Sequence, residues 1–129
     1  MRRALLDTSF VIALARGEEM ALASPPEEAA ISAVTLCGLH HGVLVATEAQ
    51  RPGRLATLAF VERHFAAIPI DAEIAPHYGR LLAETSRRRR AKLAMADALI
   101  AATAVAHRLP LITRDRDFAR LGGVDAVIV

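Results

Sequence analysis

A chain of 129 residues allows one compact domain, taken here as residues 1–129, and a second independent core is not expected. With 53% hydrophobic and 23% charged residues it falls outside the disordered class, and its net charge of +2 permits a nucleic-acid partner without demanding one. Cys37 is the only cysteine, which excludes an internal disulfide and any Cys-rich zinc site and suits a reducing cytosol.

Met1-Arg2-Arg3 followed by apolar residues has the outline of a secretory signal, but Asp7 interrupts the apolar stretch, so the segment is read as part of the domain. Arg3 to Asp7 reads as a short buried strand, after which Thr8 or Ser9 caps a helix through Phe10 to Ala15, ended by Gly17. Ser24-Pro25-Pro26 marks a turn. Ala30 to Val34 has strand character, and Thr35 is positioned to cap a helix running toward Gln50. The stretch from Ala29 to Ala46 is uncharged, yet Ser32, Thr35, His40, His41 and two glycines make it a poor membrane span, and no membrane partner is expected. A helix follows from about Arg54 to Phe65, then a strand over Ala67 to Ile70. Asp71 starts a helix with Ile74, Tyr78, Leu81 and Leu82 on one face, which runs into Arg87 to Arg90. Ala94 to His107 reads as an alanine-rich helix, Leu109 to Thr113 as a strand, and Val124 to Val129 as a terminal strand. The alternation predicts an α/β fold: a central parallel sheet flanked by helices on both faces, with ligands beyond the carboxyl ends of the strands.

Asp7 closes the first strand and Asp115 follows a later one by two residues, so parallel strands bring both carboxylates to one sheet edge, where their repulsion calls for a cation. Asp97 lies in the first turn of the alanine helix between small neighbours, and Asp117 is two residues past Asp115. Hard oxygen donors of this kind suit Mg²⁺ or Mn²⁺. Each aspartate also has a plainer role as a helix cap, a dipole complement or a turn former.

Three segments carry a family resemblance. Leu5-Leu6-Asp7-Thr8-Ser9, Ala96-Asp97-Ala98-Leu99-Ile100-Ala101-Ala102-Thr103 and Thr113-Arg114-Asp115-Arg116-Asp117-Phe118 resemble the signatures of PIN-domain ribonucleases, most closely the VapC-type toxins of bacterial toxin-antitoxin pairs. The resemblance implies a metal-dependent endoribonuclease acting in the cytoplasm. It makes Asp7, Asp97 and Asp115 ligands of Mg²⁺ or Mn²⁺, directly or through water, and Asp117 a further ligand or a supporting acid. It also implies a VapB-like antitoxin and a homodimer. Ser9 and Thr113 have hydroxyls able to orient a water, a carboxylate or a phosphate, although simple capping is open to both. Arg114 and Arg116 flank the acidic edge and are the candidate RNA contacts, while Arg87 to Arg90 read first as a solvated helix end.

One position departs from the family pattern. The run Val34-Thr35-Leu36-Cys37-Gly38-Leu39 places Gly38 where the family carries a glutamate. Close backbone packing through Gly38 and Gly42 is one explanation; an inactivating substitution or a natural weakening of metal binding are the others. A catalytically silent PIN module that binds an antitoxin or RNA is therefore the rival function. A phosphate-accepting receiver domain ranks last, because the first strand lacks the paired acids of its metal site. The histidines are spaced as surface or isolated residues, and Cys37 is read as a small packed apolar group.

Overall fold

The computed structural model describes residues 1–18, 22, 24–87 and 93–129. Among these the strands are β1 (Arg3–Leu6), β2 (Glu28–Ser32), β3 (Ala66–Ile68), β4 (Leu111–Thr113) and β5 (Ala126–Ile128). The helices are α1 (Thr8–Ala15), α2 (Ala33–Leu44), α3 (Arg51–His64), α4 (Ala75–Arg87) and α5 (Met95–Ala106), and a short 3-10 helix spans Arg116–Arg120. The described strands form one parallel sheet in the order β3-β2-β1-β4-β5.

The pleat sends alternate residues to opposite faces. Leu5 and Leu111 join Ile74, Leu81, Ile100 and Phe118 under α4 and α5, while Ala4, Leu6 and Ile112 join Phe10, Val11, Ile31 and Val61 under α1 and α3. Both faces are thus covered, as a parallel sheet requires. The alanines of α5 allow close approach to the sheet: Ala98, Ala101 and Ala102 are fully buried. No helix among the described residues is long and apolar enough to cross a membrane.

Several expected boundaries move, each for a local reason. Asp7, rather than Thr8 or Ser9, caps α1, its side chain accepting from the Thr8 amide at 2.9 Å. Ser32, rather than Thr35, caps α2, accepting from the Val34 amide at 3.1 Å, so the helix begins at Ala33. It stops at Leu44, well short of Gln50, where guanidiniums take carbonyls at and just past its end: Arg51 reaches Val43 O and Ala46 O at 3.4 and 2.8 Å, and Arg54 reaches Gly42 O at 2.7 Å. Such donors also complement the negative end of a helix. Asp71 sits in a turn before α4, accepting from the Glu73 amide at 3.1 Å, so the helix starts only at Ala75.

Gly17 does end α1. At φ 74° it lets its own amide and that of Glu18 fold back to Leu14 O and Ala13 O, both at 3.0 Å. Of the arginine run, Arg87 is the last residue of α4 and 88–90 lie outside the described residues.

The chain steps from β1 to β2 on one side and returns to β4 on the other, so the order reverses between β1 and β4. A crevice opens at such a switch point, beyond the carboxyl ends of the strands. In a parallel sheet, helices returning across a face start at this same edge, so the first turn of α5 arrives there too.

Candidate active site

Asp7 is the centre of the crevice. It lies one residue past β1 and is only 5% exposed. Its Oδ1 accepts from the Thr8 amide, while its Oδ2 accepts from the Thr113 hydroxyl at 2.8 Å and the Ser9 hydroxyl at 3.3 Å. The helix-capping role weighed from the sequence is thus real, and it leaves the carboxylate at the crevice. Thr113 is fully buried, and its Oγ1 also accepts from the Asp115 amide at 3.0 Å. A buried residue with its hydroxyl engaged on both sides does not contact substrate; Thr113 instead ties the end of β1 to the loop after β4.

Asp115 caps the 3-10 helix, its Oδ1 accepting from the Asp117 amide at 2.9 Å. Asp97 lies in the first turn of α5, partly buried. Burial raises its pKa above the usual 3.8, and the charges of Asp7 and then Asp115 raise it further. Asp97 therefore feels the charges of Asp7, ninety residues earlier in the chain, and of Asp115, eighteen residues later.

Asp117 gives its amide to Asp115 Oδ1, and its side chain is 73% exposed and lies 3.9 Å from Arg120 Nη1. Ser9 is exposed beside Asp7. Arg114 and Arg116 are exposed, as substrate contacts need to be, although Arg114 Nη1 is paired with Glu18 at 3.2 Å. Cys37 is exposed, not packed as an apolar group.

Gly38 is exposed on α2, and a Cβ built there meets nothing within 4 Å; at Gly42 it meets only Arg54 Nη1, at an ordinary 3.8 Å. Close packing therefore does not account for glycine at position 38. The sequence reading missed the contact between Thr8 and Thr35, whose hydroxyls meet at 2.8 Å and join the starts of α1 and α2 beside Asp7. Their signal was present: each is a threonine just past a strand end.

Oxygen donors alone suit a hard divalent cation, and the mutual repulsion felt by Asp97 is what a cation relieves. Among the described residues no three His, Cys, Asp or Glu side chains form a ready cage for a metal. Mg²⁺ does not require one, since it is ordinarily held by one or two carboxylates with water and substrate phosphate completing the shell. With Asp97 half-buried and Asp115 exposed, the edge fits that mode.

A parallel α/β fold with aspartates gathered at the switch point defines an acidic-site class suited to a cation and a phosphate. The PIN domain profile matches residues 4–124, and the chain belongs to the PIN-domain family. It is 41% identical over 127 residues to Ribonuclease VapC5 of Mycobacterium tuberculosis, covering 95% of this chain and 90% of that one. It is 32% identical over 133 residues to Ribonuclease VapC4 of the same organism, covering 100% and 98%. The crystal structure of VapBC-5 from M. tuberculosis, a member of the VapBC family of toxin-antitoxin systems, superposes with a TM-score of 0.83 at 36% identity, covering 100% of this chain and 98% of that chain.

Proposed function

We propose that this chain is a VapC-like endoribonuclease toxin. The reading rests on the convergence of Asp7, Asp97 and Asp115, and it is supported by likeness to proteins named ribonucleases. In it, these three aspartates hold Mg²⁺ or Mn²⁺, directly or through water. When bound, the cation supplies an activated water and neutralises charge on the phosphate. The chain's own residues prepare the place. Thr8 and Thr113 fix both oxygens of Asp7, Thr113 sets the Asp115 loop, and α5 presents Asp97 from a rigid, buried helix. Arg114 and Arg116 contact the RNA, with Arg114 exchanging Glu18 for phosphate. Asp117 is a further ligand or a supporting acid.

A VapB-like antitoxin and a homodimer belong to the same proposal. The exposed apolar side chains of Leu44 at the end of α2, Val45 just beyond it and Leu55 on α3 offer surface for a protein partner. The rival, a silent module that binds antitoxin or RNA without cleaving, is favoured by Gly38 alone.

RNA cleavage at saturating Mn²⁺ or Mg²⁺ by wild type, Gly38→Glu and Asp97→Asn decides between them. A weak wild-type nuclease, stimulated by Gly38→Glu and abolished by Asp97→Asn, is the expected result. Equal cleavage by all three would remove the proposed site, and no cleavage by the first two would leave the silent module.

A further inference from the structure

One ion pair joins the end of α1 to the loop that carries Asp115. Arg114 Nη1 lies 3.2 Å from Glu18 Oε2, across 96 residues of chain. Both partners start from fixed backbone. Gly17, at φ 74°, turns the chain so that the Glu18 amide returns to Ala13 O at 3.0 Å. On the other side Thr113 closes β4, its carbonyl accepting from the Val129 amide and its hydroxyl from the Asp115 amide, each at 3.0 Å. Arg114 therefore leaves an anchored loop, and Glu18 is presented to it from an anchored turn.

The two arginines beside Asp115 are thereby unequal. Arg116 is exposed and has no ion pair among the described residues, whereas Arg114 has a carboxylate partner within the chain. A carboxylate and a phosphate compete for the same guanidinium donors, because both are anionic acceptors matched to its planar fork. The pair is weak enough to open: its side chains are 50% and 49% exposed, and surface pairs of this kind shift an equilibrium by about two- to fivefold. An anion that needs Arg114 binds less tightly in proportion to the fraction of molecules in which Arg114 is free.

We propose that Glu18 is a built-in competitor for Arg114, which lowers the affinity for RNA by occupying a phosphate contact until the substrate displaces it. The inference rests on the nuclease reading, from which it takes the substrate class and the role of Arg114; what it adds is the restraint. Glu18 touches no substrate and acts through Arg114, so it is a positioning residue. Removing its charge should strengthen binding, the opposite of what the loss of a merely stabilising ion pair would do.

The test is a double-mutant cycle on the anisotropy of a labelled single-stranded RNA oligonucleotide, in EDTA at low salt, with Asp97→Asn as the parent so that the RNA stays intact. Adding Glu18→Gln should tighten binding about two- to fivefold. Adding Arg114→Gln should weaken it, and Glu18→Gln should then have no effect, because the guanidinium it competes for is gone. In an Arg116→Gln background the gain from Glu18→Gln should persist. Circular dichroism establishes that each variant is folded. A folded Glu18→Gln variant with parental affinity would overturn the proposal. So would a gain of the same size with and without Arg114, which would make Glu18 a source of general repulsion toward a polyanion. Wild-type cleavage alongside either result would remove the restraint and keep the nuclease reading. A wild type that never cleaves, with RNA held more tightly by Glu18→Gln only when Arg114 is present, would do the reverse, and RNA bound by no variant would overturn both.

Discussion

Asp97 carries an electrostatic penalty in the crevice, and the sign of its pH effect follows from that. Its folded pKa lies above 3.8, so between 3.8 and the raised value the native state holds more protons than the unfolded chain. Stability therefore falls as pH rises through this window, and the whole penalty is present above it. In EDTA at neutral pH, Asp97→Asn should melt above wild type, with the gap closing as the pH falls toward 3.8. Thermal unfolding across that range checks it; parallel curves would deny the crowding. Thr113→Val keeps the shape but removes the closest donor to Asp7 Oδ2 and the acceptor of the Asp115 amide, a loss of about 1–3 kcal/mol in denaturant unfolding. Thr113→Ser should recover most of it. Gly38 has room for a side chain, so Gly38→Ala should raise stability by roughly 0.5–1 kcal/mol through helix propensity. At this scale the sequence announced the aspartates, because charge at the end of an apolar strand is conspicuous. It concealed the threonines, whose hydroxyls find partners only after remote segments meet.

The alternation of strands and helices was legible from apolar runs and turn residues, and all the expected strands and helices formed. Their ends were less so. Ala30 to Val34 suits strand or helix equally, and the switch falls where the Ser32 hydroxyl meets the Val34 amide, one residue before Ala33 begins α2. The end of α2 depends on Arg51 and Arg54 folding back from the next helix, an interaction that helix periodicity does not encode. Gly17 announced its turn by its residue type, whereas the end of α5 puts Arg108, a non-glycine residue, at φ 55°. Its amide and that of Leu109 still return to Val105 O and Ala104 O, so the chain makes the turn despite the Cβ. Arg108→Gly should therefore stabilise the fold by about 1 kcal/mol, read from the denaturation midpoint.

At the scale of the whole molecule, the order β3-β2-β1-β4-β5 turns residues far apart in the chain into neighbours. Parallel strands were enough to place Asp7 and Asp115 at one edge, and the start of α5 brought Asp97 there. The 3-10 helix that Asp115 caps sets the Asp117 side chain near Arg120. Sheet order also makes α1 and α2 start together, where the Thr8 and Thr35 hydroxyls meet.

The central claim is that Asp7, Asp97 and Asp115 share one divalent cation, and a Mn²⁺ titration followed by thermal unfolding at neutral pH tests it most directly. A ligand that binds only the folded state stabilises it in proportion to the logarithm of its concentration, about 2.7 kcal/mol at a hundred times Kd. Wild type should show this rise in melting temperature, and Asp97→Asn, already relieved of its charge, should lose most of it. An equal response in both proteins, or none in either, would contradict the account.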